Sequence, residues 1–188
     1  WGVALWVSIS KYGLGVSTDA TSYMFSGVNW INGPGLIDYS GSQYILWPPL
    51  YPMLIGFLHL TWLSAFASAH VIQFAAFALL AYSSSIFFLK LFPDDFLFVL
   101  FGVFLLDTGS IVIPSFDMVG TDYLFSLFPV ISALLINEYA KKQKMTTLTL
   151  LALTASLAML TRYLGYVLII TTLITVLYYT NGSILKRI

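Results

Sequence analysis

The chain has 188 residues, of which 59% are hydrophobic and only 9% are charged, and its mean hydropathy is +0.90. Soluble domains carry about 25% charged residues, so this composition excludes an ordinary water-exposed surface and predicts a polytopic membrane protein. The formal net charge is zero, which gives no support for nucleic acid as a partner. The absence of cysteine excludes disulfides and thiolate metal sites.

The first 47 residues predict the end of one helix and a long loop. Residues 1–16 are mostly apolar and predict the outer end of a first spanning helix. Residues 17–47 are polar and aromatic-rich, and predict a first extracytoplasmic loop carrying interfacial helices. Thr18 or Asp19 is expected to cap a short helix that runs to about Asn29. Because the chain starts at Trp1 and ends just past a helix, we expect residues 1–188 to be a single truncated transmembrane domain.

The rest of the chain is a series of apolar runs that predict helices. The first opens at Pro48 and Pro49 and extends to about Ala65. A spanning helix needs about 20 residues, and no alternation of period two suggests a barrel. The predicted fold class is therefore all-α, a polytopic transmembrane helical bundle. The later runs cover residues 68–91, 96–113, 121–140, 145–160 and 163–179.

The charges give this bundle an orientation. Basic residues concentrate at one end of the apolar runs, and the positive-inside rule places that end in the cytoplasm. Five acids lie in the connecting segments and at helix ends, mostly on the opposite side. The basic residues are Lys90, Lys141, Lys142, Lys144, Lys186 and Arg187, and the acids are Asp19, Asp38, Asp107, Asp117 and Asp122.

The apolar run at 49–65 leaves two interpretations of this topology open. If the run spans the membrane, Asp19 lies on the cytoplasmic side, away from Asp122 and Arg162. If the run is re-entrant or shallow, all three residues share the outer face. We favour the second interpretation because the run is short and rich in proline.

Asp19 and Arg162 are the strongest candidates for chemistry. A carboxylate at the membrane surface can take a proton from an acceptor hydroxyl or amine, although Asp19 is also suited to a helix N-terminus. The fork of an arginine matches phosphate oxygens, so Arg162 suits a lipid-linked phosphate. Alternatively, Arg162 forms a pair with Asp122 or Asp117 near the interface. Asp122 itself is interpreted as a helix cap, or as a group that orients Arg162 or a sugar.

Other polar residues are weaker candidates for a functional role. Asp107 lies inside an apolar run, where acids are functional candidates, although it can also bond Thr108 or Ser110. Asp38 belongs to a turn-forming loop or binds the acceptor. His59 and His70 are expected to pack rather than bind metal. The loop aromatics either anchor in headgroups or stack on sugar rings, and they are Tyr23, Trp30, Tyr39, Tyr44 and Trp47.

Four short motifs resemble, in order and rough spacing, those of membrane glycosyltransferases of the GT-C fold. The most similar branches are the protein O-mannosyltransferases, the aminoarabinose transferases and dolichyl-phosphate-mannose mannosyltransferase-like enzymes. The resemblance covers nearly the whole chain, and the second motif is the most specific. The motifs are Asp19-Ala20-x-x-Tyr23, Trp47-Pro48-Pro49-Leu50-Tyr51-Pro52, Thr121-Asp122-Tyr123-Leu124-Phe125 and Leu160-Thr161-Arg162-Tyr163-x-Gly165.

The resemblance implies an activity and a set of site residues. It implies transfer of a sugar from a polyprenyl-phosphate donor to a lipid, glycan or protein acceptor, outside the cytoplasm. Asp19 is then the catalytic base. Ala20 stands where many relatives have a second acid, so a divalent metal is unsupported and no cofactor is expected. The implied substrate-binding residues are Tyr23, Asp38, Tyr51, Asp122 and Arg162.

The expected location is a bacterial or archaeal plasma membrane, with a multi-pass chain, membrane lipid around it and the active site facing outward. Two other functions remain open. The first is a transporter or flippase for a lipid-linked or small polar solute, using Asp107 and Arg162 as an intramembrane pair; the sequence shows no internal repeat of the kind many transporters have. The second is a non-catalytic membrane subunit, in which Asp19 tolerates replacement.

Overall fold

A computed structural model of the protein describes residues 13–107 and 118–180. These residues form seven α-helices and one short 3₁₀ turn, and they include isolated β-bridges but no strand. The prediction of an all-helical chain is confirmed for this part of the protein. The helices are α1 (Thr18–Asn32), α2 (Leu50–His59), α3 (Ala65–Leu91), α4 (Phe96–Asp107), α5 (Asp122–Lys142), α6 (Met145–Thr161) and α7 (Tyr166–Thr180), with the 3₁₀ turn Tyr163–Gly165 between the last two.

The start of α1 differs from the prediction. Ser17 is the N-cap, because its hydroxyl accepts a hydrogen bond from the Ala20 N–H at 3.1 Å. Thr18 and Asp19 lie in the first turn and do not cap the helix. Residues 13–16 are not helical, since Gly15 forms a parallel bridge with Met118. The rest of the predicted first helix lies outside the described residues.

Helix α1 packs tightly on α2 through a pair of glycines. A Cβ added to Gly27 would lie 2.4 Å from the Pro52 carbonyl oxygen. A Cβ added to Gly56 would lie 2.4 Å from the carbonyl oxygen of Gly27. Only glycine therefore allows the two backbones to approach this closely. The contact fixes the position of the first turn of α1, which carries Asp19.

The predicted loop at 17–47 holds one helix, not several. After α1, the chain forms a small hairpin with a bridge between Ile37 and Gln43. The Ser26 hydroxyl donates to the Ile37 carbonyl at 2.9 Å and ties this hairpin to α1. Within the hairpin the Asp38 N–H donates to the Ser42 carbonyl and the Tyr44 N–H to the Leu36 carbonyl, each at 2.9 Å, so these backbone groups are paired without a further helix.

Helix α2 is too short to cross a bilayer. Its ten residues give a length of about 15 Å, roughly half the thickness of a hydrocarbon core. It ends near Trp62, whose side chain is 98% exposed. The next helix starts where the Ser64 hydroxyl accepts from the Ala67 N–H. These features agree with the shallow interpretation of the run at 49–65.

Helices α3 and α5 are the two described helices long enough and apolar enough to cross a membrane, judged by length and composition. They lie side by side and run in the same direction. The Phe77 ring near the middle of α3 meets the Tyr123 ring at the start of α5 edge to face, with 5.5 Å between ring centroids. Glu138 near the end of α5 lies within electrostatic range of Lys90 near the end of α3. Helices α2, α4, α6 and the stretch containing α7 are shorter apolar helices.

Large apolar side chains cover the outside of this bundle. On α4, Phe96 and Leu97 are 67% and 76% exposed, and on α7 Leu177 is 59% exposed. Soluble monomers rarely expose contiguous apolar patches of more than a few hundred Å². The outer faces of α4 and α7 are therefore suited to contact with lipid or with apolar protein.

The lysines of α3 and α5 lie together at one end of the bundle. Lys142 pairs with Glu138 at 2.6 Å near the C-terminal end of α5, and the Gln143 side chain reaches the Tyr179 carbonyl near the end of α7. Asp122 lies at the opposite end of α5. The lysines predicted to mark one side thus lie at the end away from Asp122.

Candidate functional site

A polar cavity of about 220 Å³ lies at the end of the bundle opposite the lysines. Three charged side chains from distant parts of the sequence line it: Asp19 from α1, Asp122 from α5 and Arg162 after α6. This is the convergence that the shallow interpretation of α2 requires. The remaining lining residues are Ser17, Tyr23, Trp47, Met118, Val119, Gly120 and Thr121.

Asp19 is the free carboxylate of this pocket. It lies in the first turn of α1 with its side chain exposed. Among the described residues it has no hydrogen bond or ion pair, since Ser17 already serves the free N–H groups of the helix end. An exposed, unpaired carboxylate beside a cavity is available to accept a proton from a bound group.

Arg162 and Asp122 form an ion pair across the pocket. A guanidinium nitrogen of Arg162 contacts a carboxylate oxygen of Asp122, and the two side chains are 39% and 30% exposed. The pairing is the alternative that the sequence left open for Arg162. Asp122 occupies the first helical position of α5, and Thr121 precedes it at the cap position. The interpretation of Asp122 as the cap is therefore wrong, because its carboxylate turns to Arg162.

The position of Arg162 is set by a tight turn at the end of α6. Arg162 leaves the helix in an extended conformation, with φ −145° and ψ 141°. The Gly165 N–H donates to the Arg162 carbonyl at 2.8 Å. A Cβ on Gly165 would lie 2.3 Å from the carbonyl carbon of Ala158. The turn therefore needs glycine, and it points Arg162 back at α5.

Three tyrosines form an aromatic cluster beneath the pocket. The Tyr23 ring packs edge to face against Tyr51 at 5.3 Å and against Tyr44 at 6.5 Å. Tyr51 is fully buried, and its hydroxyl faces the Gly120 backbone without a hydrogen bond of ordinary geometry. Burial, followed by the charge of nearby Asp19, raises the pKa of Tyr23. Burial also raises the pKa of Tyr44 and of Tyr51.

Raised pKa values keep these phenols protonated near neutral pH. Tyr23 lines the pocket and can donate a hydrogen bond there, whereas Tyr51 lies underneath and supports the Tyr23 ring. The two tyrosines predicted from the first two motifs thus lie together, one at the cavity wall and one behind it.

Asp38 is not brought to this pocket. Its Oδ1 accepts from the Ser40 N–H, the Ser40 hydroxyl and the Ser42 N–H, at 2.8, 2.6 and 3.2 Å. These hydrogen bonds, led by the Ser40 hydroxyl, lower the pKa of Asp38. The carboxylate thus stabilises a hairpin turn, which is the first of the two interpretations given for Asp38 from the sequence. It borders a separate small cavity with Ser22 and Gln43.

Asp107 and Arg162 do not form the intramembrane pair that a transporter was expected to use. Asp107 is fully buried and accepts a hydrogen bond from the Ser84 hydroxyl at 3.2 Å, while Arg162 pairs with Asp122. The suggested partners Thr108 and Ser110 lie outside the described residues, as does Asp117. His59 and His70 contact backbone carbonyls, and no metal-binding group of three acidic, histidine or cysteine side chains occurs in the described ranges.

Sequence reasoning did not assign Ser17, Gly120 or Thr121 to the site, although all three line it. Trp47 was interpreted as an anchor or a stacking residue and lies in the wall. Thr121 stands inside a quoted motif, so its place was detectable. Gly120 reaches the pocket because the Val119 N–H bonds the Gly15 carbonyl at 2.9 Å, a long-range contact that no local pattern indicates.

Comparison of the chain with protein-family models, with curated proteins and with solved structures found no match.

Proposed function

We propose that this chain is part of a multi-pass membrane glycosyltransferase that moves a sugar from a polyprenyl-phosphate donor to an acceptor on the extracytoplasmic side. The single observation that carries the proposal is the convergence of Asp19, Asp122 and Arg162 on one pocket. The resemblance of the surrounding motifs to GT-C enzymes gives these residues their roles.

The outer surface supports the membrane part of the proposal. The exposed apolar faces of α4 and α7 suit lipid, and α3 and α5 have the length of spanning helices. Exposed Trp62 at the end of α2 suits the membrane–water interface, where tryptophan is enriched. The lysine-rich end suits the cytoplasmic side by the positive-inside rule, which leaves the pocket on the outer side.

The proposed reaction is a direct displacement at the sugar. Asp19 accepts the proton of an acceptor hydroxyl or amine. The freed oxygen or nitrogen lone pair forms a bond to the anomeric carbon, and the bond from that carbon to the phosphate oxygen breaks. The electron pair leaves with the polyprenyl phosphate, whose charge Arg162 stabilises. Direct attack from the opposite face inverts the anomeric configuration.

The ion pair of Arg162 with Asp122 has a part in this scheme. A phosphate at the pocket shares the guanidinium with Asp122, because an arginine offers five N–H donors. Asp122 then holds Arg162 in place and acts as a positioning residue. Two carboxylates and one guanidinium line the pocket, so the carboxylates repel a bound phosphate. Direct contact of the phosphate with Arg162 has to offset this repulsion.

The test is a transfer assay in membranes with radiolabelled polyprenyl-phosphate sugars. Asp19→Asn keeps the shape of the side chain and removes the base, so we expect transfer to fall by roughly 10²–10⁴-fold. Asp94→Asn, in the turn at the opposite end of the bundle, is the matched control and should retain wild-type transfer. Unchanged transfer by a folded Asp19→Asn protein would remove the catalytic assignment and favour a non-catalytic subunit.

A further inference from the structure

Asp107 is a buried acid that the proposed reaction does not use. It is the last residue of α4, an otherwise apolar helix, and it is 0% exposed. It does not line the polar pocket. The rise of α4 places it about 17 Å from Phe96, which is near the middle of a hydrocarbon core of about 30 Å. Acids at such a depth in a membrane are rare and usually have a function.

A run of three serines on α3, residues 83–85, sends one hydroxyl to this acid. The hydroxyls of Ser83 and Ser85 donate to carbonyls of their own helix, each at 2.7 Å. The Ser84 hydroxyl instead donates to Oδ1 of Asp107 at 3.2 Å, and Ser84 is also 0% exposed. A buried hydrogen bond therefore links α3 to α4.

The second carboxyl oxygen of Asp107, Oδ2, is buried and has no hydrogen-bond partner among the described residues. Within the same ranges Asp107 forms no ion pair. Burial and the Ser84 hydroxyl are the features that act on this acid, and no charged group of the described chain is among them. The acid thus lies in the bundle with one hydrogen bond and no compensating charge.

The titratable side chains of the neighbouring helices do not compensate Asp107. Helix α4 packs mainly on α3, where Lys90 is exposed and lies about 9 Å along the helix from Ser84. Tyr82 is 67% exposed, and His70 contacts a backbone carbonyl of its own helix. The titratable groups of α5 lie near its two ends and are Asp122, Tyr123, Glu138, Tyr139, Lys141 and Lys142.

An ionised carboxylate is unfavourable in these surroundings. Burial of a charge without a counter-ion costs far more free energy than burial of a neutral carboxylic acid, which loses only the hydrogen bonds that it leaves unmade. A metal ion is a poor partner, because it needs several oxygen ligands and no metal-binding group of three acidic, histidine or cysteine side chains occurs in the part of the chain that the structure describes. A proton needs only one oxygen.

We infer that Asp107 is a proton-binding site inside the membrane. Oδ1, which accepts from Ser84, is the carbonyl oxygen of the acid, and Oδ2 carries the proton. Release of this proton to water would leave an uncompensated negative charge between α3 and α4. The bound proton therefore keeps the main contact of α4 free of charge. This site is separate from the polar pocket and does not depend on the proposed transfer reaction.

Infrared spectroscopy of the full chain at neutral pH tests the site. The detergent is dodecyl maltoside, which has no carbonyl group. A protonated carboxylic acid has a C=O stretching band above the amide I band, and an ionised carboxylate does not. Wild type should show this band, and a heavy carbon isotope at the side-chain carboxyl of aspartate should move it to lower frequency. Asp107→Asn should abolish it.

Asp95→Asn is the matched control, because Asp95 lies at the opposite end of the same helix. Asp95 is exposed, and its carboxylate accepts from the Phe98 N–H at 2.9 Å. The carboxylic acid band should keep its full intensity in this variant.

A second pair of variants tests the hydrogen bond and keeps the experiment decisive if Asp107→Asn does not fold. Ser84→Ala removes the donor to Oδ1. The band should remain and move to higher frequency, because a carbonyl that accepts no hydrogen bond has a stiffer C=O bond. Ser85→Ala is the control, since the Ser85 hydroxyl bonds the Ala81 carbonyl of its own helix, and its band should keep the wild-type frequency.

Four results would overturn the inference. They are the absence of a carboxylic acid band in folded wild type at neutral pH, a band that survives in folded Asp107→Asn, equal band frequencies in Ser84→Ala and Ser85→Ala, and loss of the wild-type band when sodium chloride replaces choline chloride. The last result would show that the acid holds a metal cation in place of a proton.

Discussion

At the scale of single residues, loss of the Arg162–Asp122 ion pair should change the donor KM much more than the free energy of unfolding. Both side chains are about a third exposed, and pairs of this kind contribute about 0.2–1 kcal/mol. Asp122→Asn should therefore lower the free energy of unfolding by less than about 1 kcal/mol. Arg162→Gln should raise the KM for the donor about tenfold or more, because a charge-assisted hydrogen bond is worth about 1.5–3 kcal/mol.

Denaturant unfolding and donor titrations measure the two effects. Glu138→Gln is the matched control, because it breaks the pair with Lys142 at the opposite end of the bundle, where side-chain exposure is 36% and 54%. Its loss should leave transfer unchanged. A donor KM that responds equally to Glu138→Gln and Arg162→Gln would show that neither effect is local to the pocket.

The buried tyrosines predict a loss of stability at alkaline pH. Burial raises the folded-state pKa of Tyr23 and Tyr44 above the ordinary value of 10.0. Below pH 10 both phenols are neutral in the folded and unfolded states. As pH rises above 10, the unfolded chain ionises first, so folding weakens. Between pH 8 and about pH 11, the thermal unfolding temperature should fall less for Tyr44→Phe than for wild type.

Tyr39→Phe is the control for this titration, because Tyr39 is 51% exposed and lies in the loop after α1, outside the proposed spanning helices. Lysines also titrate in this range, but they are common to all three proteins and cancel in the comparison. An equal alkaline loss in Tyr44→Phe and wild type would contradict the burial of this phenol.

At the scale of elements, the turn after α6 depends on Gly165. Gly165→Ala places a Cβ against the Ala158 backbone at 2.3 Å. Backbone cannot move aside easily, so we expect a loss of about 1–3 kcal/mol and a displaced Arg162. Gly102→Ala is the comparison, because the three atoms nearest to its Cβ belong to the Phe88 ring, the closest at 2.6 Å, and Gly102 lies on α4, outside the pocket.

Gly165→Ala should therefore lower the thermal unfolding temperature and raise the donor KM, whereas Gly102→Ala should leave the donor KM unchanged. If Gly165→Ala unfolds like wild type and binds the donor normally, the turn does not set the position of Arg162.

The hydropathy pattern located most of these elements. The runs at 68–91, 121–140 and 145–160 correspond to α3, α5 and α6 within a few residues, because long apolar runs have only helices as a solution in lipid. The helix ends differ from the prediction where a capping residue sets the first turn. Ser64 caps α3, so this helix begins three residues earlier than predicted. The sequence pointed to Thr18 or Asp19 as the cap of α1, whereas the structure uses Ser17.

The site was predictable only in part, for physical reasons. The two motifs around Asp122 and Arg162 marked helix ends, and opposite charges at neighbouring helix ends can form an ion pair. The joining of Asp19 to them depended on α2 being short, which hydropathy left ambiguous. The turn that holds Asp38 and the place of Trp47 in the pocket wall come from loop geometry, which side-chain periodicity does not encode.

At the scale of the whole molecule, the proposed function requires the pocket and the lysines to lie on opposite sides of a bilayer. The chain has no cysteine, so single-cysteine proteins report accessibility without background. Thr18 and Leu164 are exposed near the pocket, and Asp94 and Gln143 are exposed at the other end. Thr18 and Leu164 lie close to Asp19 and Arg162, and Asp94 and Gln143 lie close to the lysines, but none of the four has a role in the proposed reaction.

The most direct test is labelling of these four cysteine variants in intact cells with a membrane-impermeant maleimide. We predict that Thr18→Cys and Leu164→Cys are labelled from outside, and that Asp94→Cys and Gln143→Cys are labelled only after permeabilisation. Labelling of Thr18→Cys and Leu164→Cys from opposite sides would contradict the account, because Asp19 and Arg162 could not then share one extracytoplasmic pocket.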